Sequence, residues 1–321
     1  MKLVVLDSYA CTSEDLSFDR FSNLADLTVY PRTLPGQVAE RIGDAQLLIT
    51  NKCMIDEAVL AQCPNLKYIG VTATGYNIID LEACSKRGIT VTNVPAYSTK
   101  AVAQYVFAGI LYFCNQIAQH AKRVAAGEWQ NCENFCFYEP GLMELDGKTI
   151  GLIGFGNIAK QVAKLAHAFD MKVLVYTRTV REEMRQQFPY VTFVELDSLL
   201  AQSDFVSIHC PLTQQTNQLM NRERIGQMKP DAVLINTARG PVIEEQALAD
   251  ALNQGKLRGA CCDVVSVEPI RGDNPLLKAK NIIITPHIAW APKETRQRLL
   301  DVVYDNLESF LQGKAHNQVN Q

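Results

Sequence analysis

At 321 residues the chain is too long for one ordinary domain, so two are expected. Its 47% hydrophobic and 20% charged composition is that of a soluble globular protein with a sizeable core. A formal net charge of -3 gives no electrostatic footprint for nucleic acid or an anionic membrane, and neither is expected as a partner.

The opening run, residues 1–7, is far too short for a signal-peptide core. The first hundred residues then alternate short β-branched runs with helical stretches. Strands are expected at 3–6, 27–30, 47–50, 68–71 and 90–93, with helices near 55–62 and 80–87. Such alternation implies βαβ units and a parallel sheet. Residues 99 to about 127 read as one long helix, with the apolar stretch 101–114 buried on nearly all sides. That stretch is interrupted by Gln104 and falls short of the roughly 18 residues a membrane span needs. After a turn-rich segment around Trp129 and Pro140 the alternation restarts. Strands are expected at 149–153, 172–176, 205–209, 233–236, 259–263 and 282–285, and a helix from about 293 to 312 closes the chain. These strands are continuous apolar runs, as in sheets covered on both faces. The ten cysteines lack framework or metal spacing, which points to reduced, buried thiols in a cytoplasmic protein and to no metal site.

Residues 149–159 (TIGLIGFGNIA) run from a strand through a glycine turn into a helix expected over 158–169. Gly154 permits the tight turn, Gly156 lets backbone approach a pyrophosphate, and Ala159 is small enough for helix–strand packing. The helix N-terminus, with its free N–H groups and dipole, would receive the phosphates. Phe155 completes the turn. At the end of the next strand an acidic residue would select NAD, whereas an Arg nearby suits a 2′-phosphate. Thr177 stands in that slot and Arg178 follows, a lean towards NADP over NAD, with a plain solvated surface residue as the other reading of Arg178. Asp170 stands where a helix cap commonly turns left-handed, a conformation Asp tolerates.

The chain resembles the D-isomer-specific 2-hydroxyacid dehydrogenases along essentially its whole length. The resemblance rests on VTATGYNIID at 71–80, NVPAYS at 93–98, the glycine turn, HCPLT at 209–213, LINTARG at 234–240, CDVVSVEP at 262–269 and TPHIAW at 285–290. It implies an α/β fold of two doubly wound parallel-sheet domains with a cleft between them. A flavodoxin-like substrate domain would hold residues 1–98 and 289–321, and a Rossmann cofactor domain residues 99–288. It further implies Arg239 as the grip on substrate carboxylate and carbonyl, His287 as acid/base and Glu268 as its partner. Thr74 and Gly75 would receive the substrate carboxylate, through converging backbone N–H groups. Asn157 and Ile158 would meet the pyrophosphate, Pro211 the adenosine ribose, and Thr237, Ala238 and Asp263 the nicotinamide end, with His209 lining the cofactor groove. Gln104 stands where many relatives carry Glu.

The chemistry supports those roles independently. Reducing a ketone needs a hydride and a proton for the forming alkoxide, and His, with a reference pKa of ~6.5, is suited to hold that proton. A carboxylate on its other ring nitrogen fixes the tautomer and favours the imidazolium. An Arg fork matches a 2-keto carboxylate. Taken singly, His287 could be a structural hydrogen-bonder, Arg239 a surface cation and Glu268 a turn residue. His120, His167 and His316 read as ordinary helix or tail residues.

Trp290, and the segment from Gly127 to Lys148, resemble the glycerate dehydrogenase/hydroxypyruvate reductase branch. Trp290 would shape a tight pocket for a short polar keto acid, so hydroxypyruvate/D-glycerate or glyoxylate/glycolate is expected. A D-lactate-type reductase stays open, as does a nucleotide-sensing scaffold like the C-terminal binding protein corepressors. The chain ends after its final helix, without the regulatory domain of phosphoglycerate dehydrogenases, and Pro286 replaces the Gln of formate dehydrogenases. The broad apolar helix from Thr99, with the Trp129 region, leads us to expect a homodimer built on the cofactor domain.

Overall fold

Short runs of Leu, Ile and Val become strands in both halves of the chain, and every paired strand among the described residues is parallel. The computed structural model describes residues 1–320; Gln321, the last residue of the expected substrate domain, lies outside the described residues. The chain divides into two compact units, Met1–Ser98 with the stretch from Ala291 onward, and Thr99–Trp290.

The first unit carries β1 (Lys2–Val5), β2 (Asp26–Val29), β3 (Leu47–Thr50), β4 (Tyr68–Val71) and β5 (Thr90–Thr92), in the order β2-β1-β3-β4-β5. Every residue of β3 and β4 is buried, which is why these runs are apolar without alternation. Edge strand β2 is mostly exposed. The helix Lys293–Leu311 returns to this unit and buries Leu299, Leu300, Val303 and Leu307. Its Arg296, 8% exposed, forms a bidentate pair with Asp15 at 2.5 and 2.7 Å and donates to the Thr12 carbonyl. That saturates a buried guanidinium which would otherwise be costly.

The second unit carries β6 (Thr149–Ile153), β7 (Lys172–Tyr176), β8 (Val191–Phe193), β9 (Phe205–Ile208), β10 (Val233–Asn236), β11 (Gly259–Cys262) and β12 (Ile282–Ile284), in the order β12-β11-β10-β9-β6-β7-β8. The order reverses between β6 and β9. In such sheets ligands sit beyond the carboxyl ends of the strands at that switch point.

The helix expected from 99 to about 127 is in fact two, Thr99–Asn115 and Ile117–Ala125, bent by 53° at Gln116, whose φ of 49° is left-handed. Gln is an ordinary helix former, so no local signal marks the break. Nor is the first helix buried on nearly all sides. Gln104, Ala108 and Tyr112, four residues apart, form an exposed stripe, while Val106, Ile110 and Phe113 are buried. No single described helix is long and apolar enough to cross a membrane. Strand β8, three residues of which only Val191 is buried, was not among the strands expected from the sequence. Asp170 adopts the expected left-handed cap, at φ 56°.

Candidate active site

At the switch point, β6 ends in Gly154 with φ +97°. A Cβ there would stand 2.9 Å from the His209 carbonyl group and the Cys210 nitrogen, so both conformation and space demand glycine. Gly156 follows as the N-cap of the helix Asn157–Ala168, with no side chain capping the free N–H groups. A Cβ on Gly156 would meet nothing within 4 Å, which leaves open space before the helix N-terminus. Asn157 is exposed and Ile158 half-buried, whereas Ala159 is fully buried against the sheet. Phe155 points the other way, 6% exposed and edge-on to Phe188 and Phe193, so only its backbone is left for a ligand.

Around this turn stand the other expected cofactor residues. Thr177 and Arg178 follow β7, and Arg178 is exposed with no ion-pair partner among the described residues. His209 follows β9 and shares a hydrogen bond between Nε2 and Ser207 Oγ at 2.9 Å. Burial pushes its pKa down to about 4, so the ring is neutral near pH 7. Pro211 is exposed two residues on. After β10, Thr237 Oγ1 is buried and has no hydrogen-bond partner, and Ala238 beside it is half-buried. A capless helix end facing open space and an orphaned buried hydroxyl fit a dinucleotide.

The three expected catalytic residues leave the ends of β10, β11 and β12, on the same edge of the sheet as the glycine turn. Arg239 is exposed, and its Nη1 donates to the Ala238 carbonyl at 2.6 Å. Fully buried Asn236 shapes the turn beneath it by accepting from the Ala238 N–H and donating to the Arg239 carbonyl, both at 3.0 Å. His287 Nδ1 lies 2.7 Å from Glu268 Oε2, and the two side chains are 34% and 37% exposed. Glu268 Oε1 accepts from the Val265 N–H at 3.3 Å. With Nδ1 engaged, Nε2 of His287 is left for chemistry.

His287 has φ +57°, which a non-glycine residue holds only when its surroundings over-determine it. The neighbouring Asp263 does so. Its backbone carbonyl accepts the His287 N–H at 2.9 Å, and its carboxylate accepts the Ile288 and Ala289 N–H groups, both at 2.8 Å, and the Thr285 hydroxyl at 2.6 Å. Tyr105 hydrogen-bonds that same hydroxyl. Asp263, expected at the nicotinamide end, is thus 1% exposed, with its carboxylate engaged in holding the histidine loop. Trp290 donates from Nε1 to the His287 carbonyl at 2.8 Å, which fixes the indole beside the histidine. Sequence reasoning missed Asn236, Tyr105 and Thr285. Of these only Asn236 carried a signal, as the polar residue closing an apolar strand.

In the first unit, Thr74 and Gly75 sit in the turn after β4. The Thr74 hydroxyl donates to the Val94 carbonyl and Asn93 donates to the Thr74 carbonyl, both at 2.8 Å. The threonine side chain is therefore engaged in shaping the turn, and backbone N–H groups are what it offers an anion.

Residues 107–289 match the model for the D-isomer specific 2-hydroxyacid dehydrogenase, NAD binding domain. The chain is 45% identical over 323 residues to a hydroxypyruvate reductase of Blautia hydrogenotrophica, covering 100% of both chains. It is 37% identical to a glycerate dehydrogenase of Methylorubrum extorquens, covering 99% of this chain and 98% of the relative. The crystal structure of an Aquifex aeolicus D-lactate dehydrogenase, complexed with NAD and lactic acid, superposes with a TM-score of 0.82 at 31% identity, covering 98% of this chain and 96% of that one. A strand–glycine–helix turn, a histidine–glutamate pair and full-length similarity thus agree: the chain belongs to the D-isomer specific 2-hydroxyacid dehydrogenases, NAD(P)-linked oxidoreductases, on the branch that holds its hydroxypyruvate reductase and glycerate dehydrogenase relatives.

Proposed function

We propose that the protein interconverts a short 2-keto acid and its D-2-hydroxy acid, with hydroxypyruvate/D-glycerate or glyoxylate/glycolate as the pair. The observation that carries this reading is the 2.7 Å contact between His287 Nδ1 and Glu268 Oε2, which leaves Nε2 for proton transfer, while Arg239 is exposed beyond the end of a strand in the same sheet. In the reducing direction the glycine turn (Gly154, Phe155, Gly156, Asn157, Ile158) would take the pyrophosphate through backbone N–H groups. Thr237 Oγ1, Ala238 and Pro211 would line the rest of the dinucleotide's path, and neutral His209 would wall the groove without adding charge. Bound there, the reduced nicotinamide supplies the hydride.

The chain's own residues do the rest. Arg239 grips the keto acid and offsets charge on the forming alkoxide. Protonated His287 gives its Nε2 proton to that oxygen, and Glu268 balances the imidazolium and holds its tautomer. Trp290 narrows the pocket for a small substrate. In the first unit, the backbone N–H groups of the turn at Thr74 and Gly75 are suited to hold a carboxylate. For a D-hydroxy acid every step runs in reverse, with neutral His287 as base.

We read Arg178 as a contact for a 2′-phosphate, since Thr177, directly after β7, takes the slot where a carboxylate would claim the ribose diol. The test is absorbance at 340 nm with hydroxypyruvate, glyoxylate and pyruvate against NADH and NADPH. Arg178→Ala is expected to lower kcat/KM with NADPH by about 10-fold, the loss of one charge-assisted contact, and to leave NADH nearly unchanged. Equal losses with both cofactors would remove this role. A homodimer through the second unit is supported by exposed apolar side chains there: Tyr112, Ile117, Trp129, Phe135 and Tyr138 are 51%, 71%, 53%, 90% and 70% exposed. Sedimentation at micromolar concentration is expected to give twice the 35.7 kDa chain mass, and a stable 35.7 kDa species would contradict it. Ten free thiols suit the reducing cytoplasm, where we place the protein.

A further inference from the structure

The turn that presents Glu268 is anchored by a carboxylate that the chemistry above does not use. Glu245 opens the helix Glu245–Asn253, six residues beyond Arg239. Its Oε1 accepts the Ser266 N–H at 2.7 Å. Its Oε2 accepts the Ser266 hydroxyl at 2.6 Å and the Asn274 amide at 2.9 Å. Ser266 is two residues from Glu268. The stretch from Ser266 to Pro269 is exposed and belongs to no helix or strand, so little apolar packing holds it in place. A second contact joins the same two segments. A Cβ on Gly240 would stand 1.9 Å from the Val265 carbonyl carbon and 2.4 Å from the Ser266 nitrogen, so the backbone after Arg239 lies directly against the Glu268 turn.

We propose that Glu245 is a positioning residue of this enzyme: by clamping Ser266 it sets the register of Glu268 against His287 and ties that pair to the segment bearing Arg239. The inference rests on the roles given above to Arg239, Glu268 and His287. Glu268 meets Val265 N–H with one oxygen and His287 with the other, so a slip of the turn moves both contacts together. A misplacement of about 1 Å in a catalytic group costs on the order of 10²-fold in rate.

A double-mutant cycle tests it, using steady-state kinetics at saturating reduced cofactor for the wild type, Glu245→Ala, Glu268→Gln and the double variant. Glu245→Ala is expected to lower kcat by about 10- to 100-fold while leaving KM for the cofactor unchanged. Glu245→Gln, whose carbonyl still accepts the Ser266 N–H, is expected to lose less, and it carries the same cycle if the Ala variant does not fold. On the Glu268→Gln background the loss from Glu245→Ala should shrink to about 3-fold or less, because the residue acts through Glu268. An undiminished loss on that background, or a loss appearing in cofactor KM, would overturn the proposal. Wild-type turnover by Glu268→Gln alone would instead strike the catalytic reading and take this inference with it.

Discussion

Replacing His287 by Ala is expected to lower kcat for keto-acid reduction by about 10²- to 10⁴-fold, the usual contribution of a positioned general acid. The loss should fall on kcat and kcat/KM alike, with KM and cofactor affinity little changed, because the proton is needed only as the alkoxide forms. The fold should survive. His287 is one-third exposed, and the loop around it is held by Asp263 through the backbone N–H groups of Ile288 and Ala289, which the substitution leaves in place. Stopped-flow absorbance at 340 nm with a matched melting curve checks both halves. A rate within about 3-fold of wild type would exclude His287 as the proton donor.

Arg239→Ala should be of similar size but different in kind. A guanidinium fork makes two charge-assisted contacts to a keto acid, each worth about 1.5–3 kcal/mol, so their joint loss corresponds to about 10²- to 10⁴-fold in kcat/KM. Because the carboxylate is gripped in both the ground and transition states, KM for the keto acid should rise while kcat also falls. Arg239→Lys keeps the charge and loses the fork, and should recover only part of the activity. Folding should be unaffected, since the side chain is exposed and its hydrogen bond runs to the adjacent Ala238 carbonyl. A change confined to kcat would argue against carboxylate binding.

What the sequence disclosed and what it hid follow from the range of each interaction. The glycine turn was legible because Gly154 answers a local demand, a φ of +97° against neighbouring backbone, that few other residues meet, with Gly156 two residues on at an open helix end. Every strand but β8 was legible to within a residue or two, since burial on both faces leaves continuous apolar runs. Arg239, Glu268 and His287 were singled out through the family resemblance, and the structure sets each of them beyond the end of one of three successive strands. The break at Gln116 was not, because a left-handed glutamine carries no local mark. Nor were the supports of the site. Asp263 works by accepting backbone N–H groups, which no side-chain pattern encodes, and Glu245 reaches Ser266 across 21 positions.

The central claim is that His287 Nε2 delivers the proton to the substrate oxygen while Nδ1 stays on Glu268. A crystal structure of the enzyme with reduced cofactor and oxamate, an unreactive keto-acid mimic, tests it most directly. The account predicts His287 Nε2 at about 2.6–3.2 Å from the mimic's carbonyl oxygen, with the Nδ1–Glu268 contact intact. An imidazole turned away from that oxygen, or parted from Glu268 when the mimic binds, would contradict it.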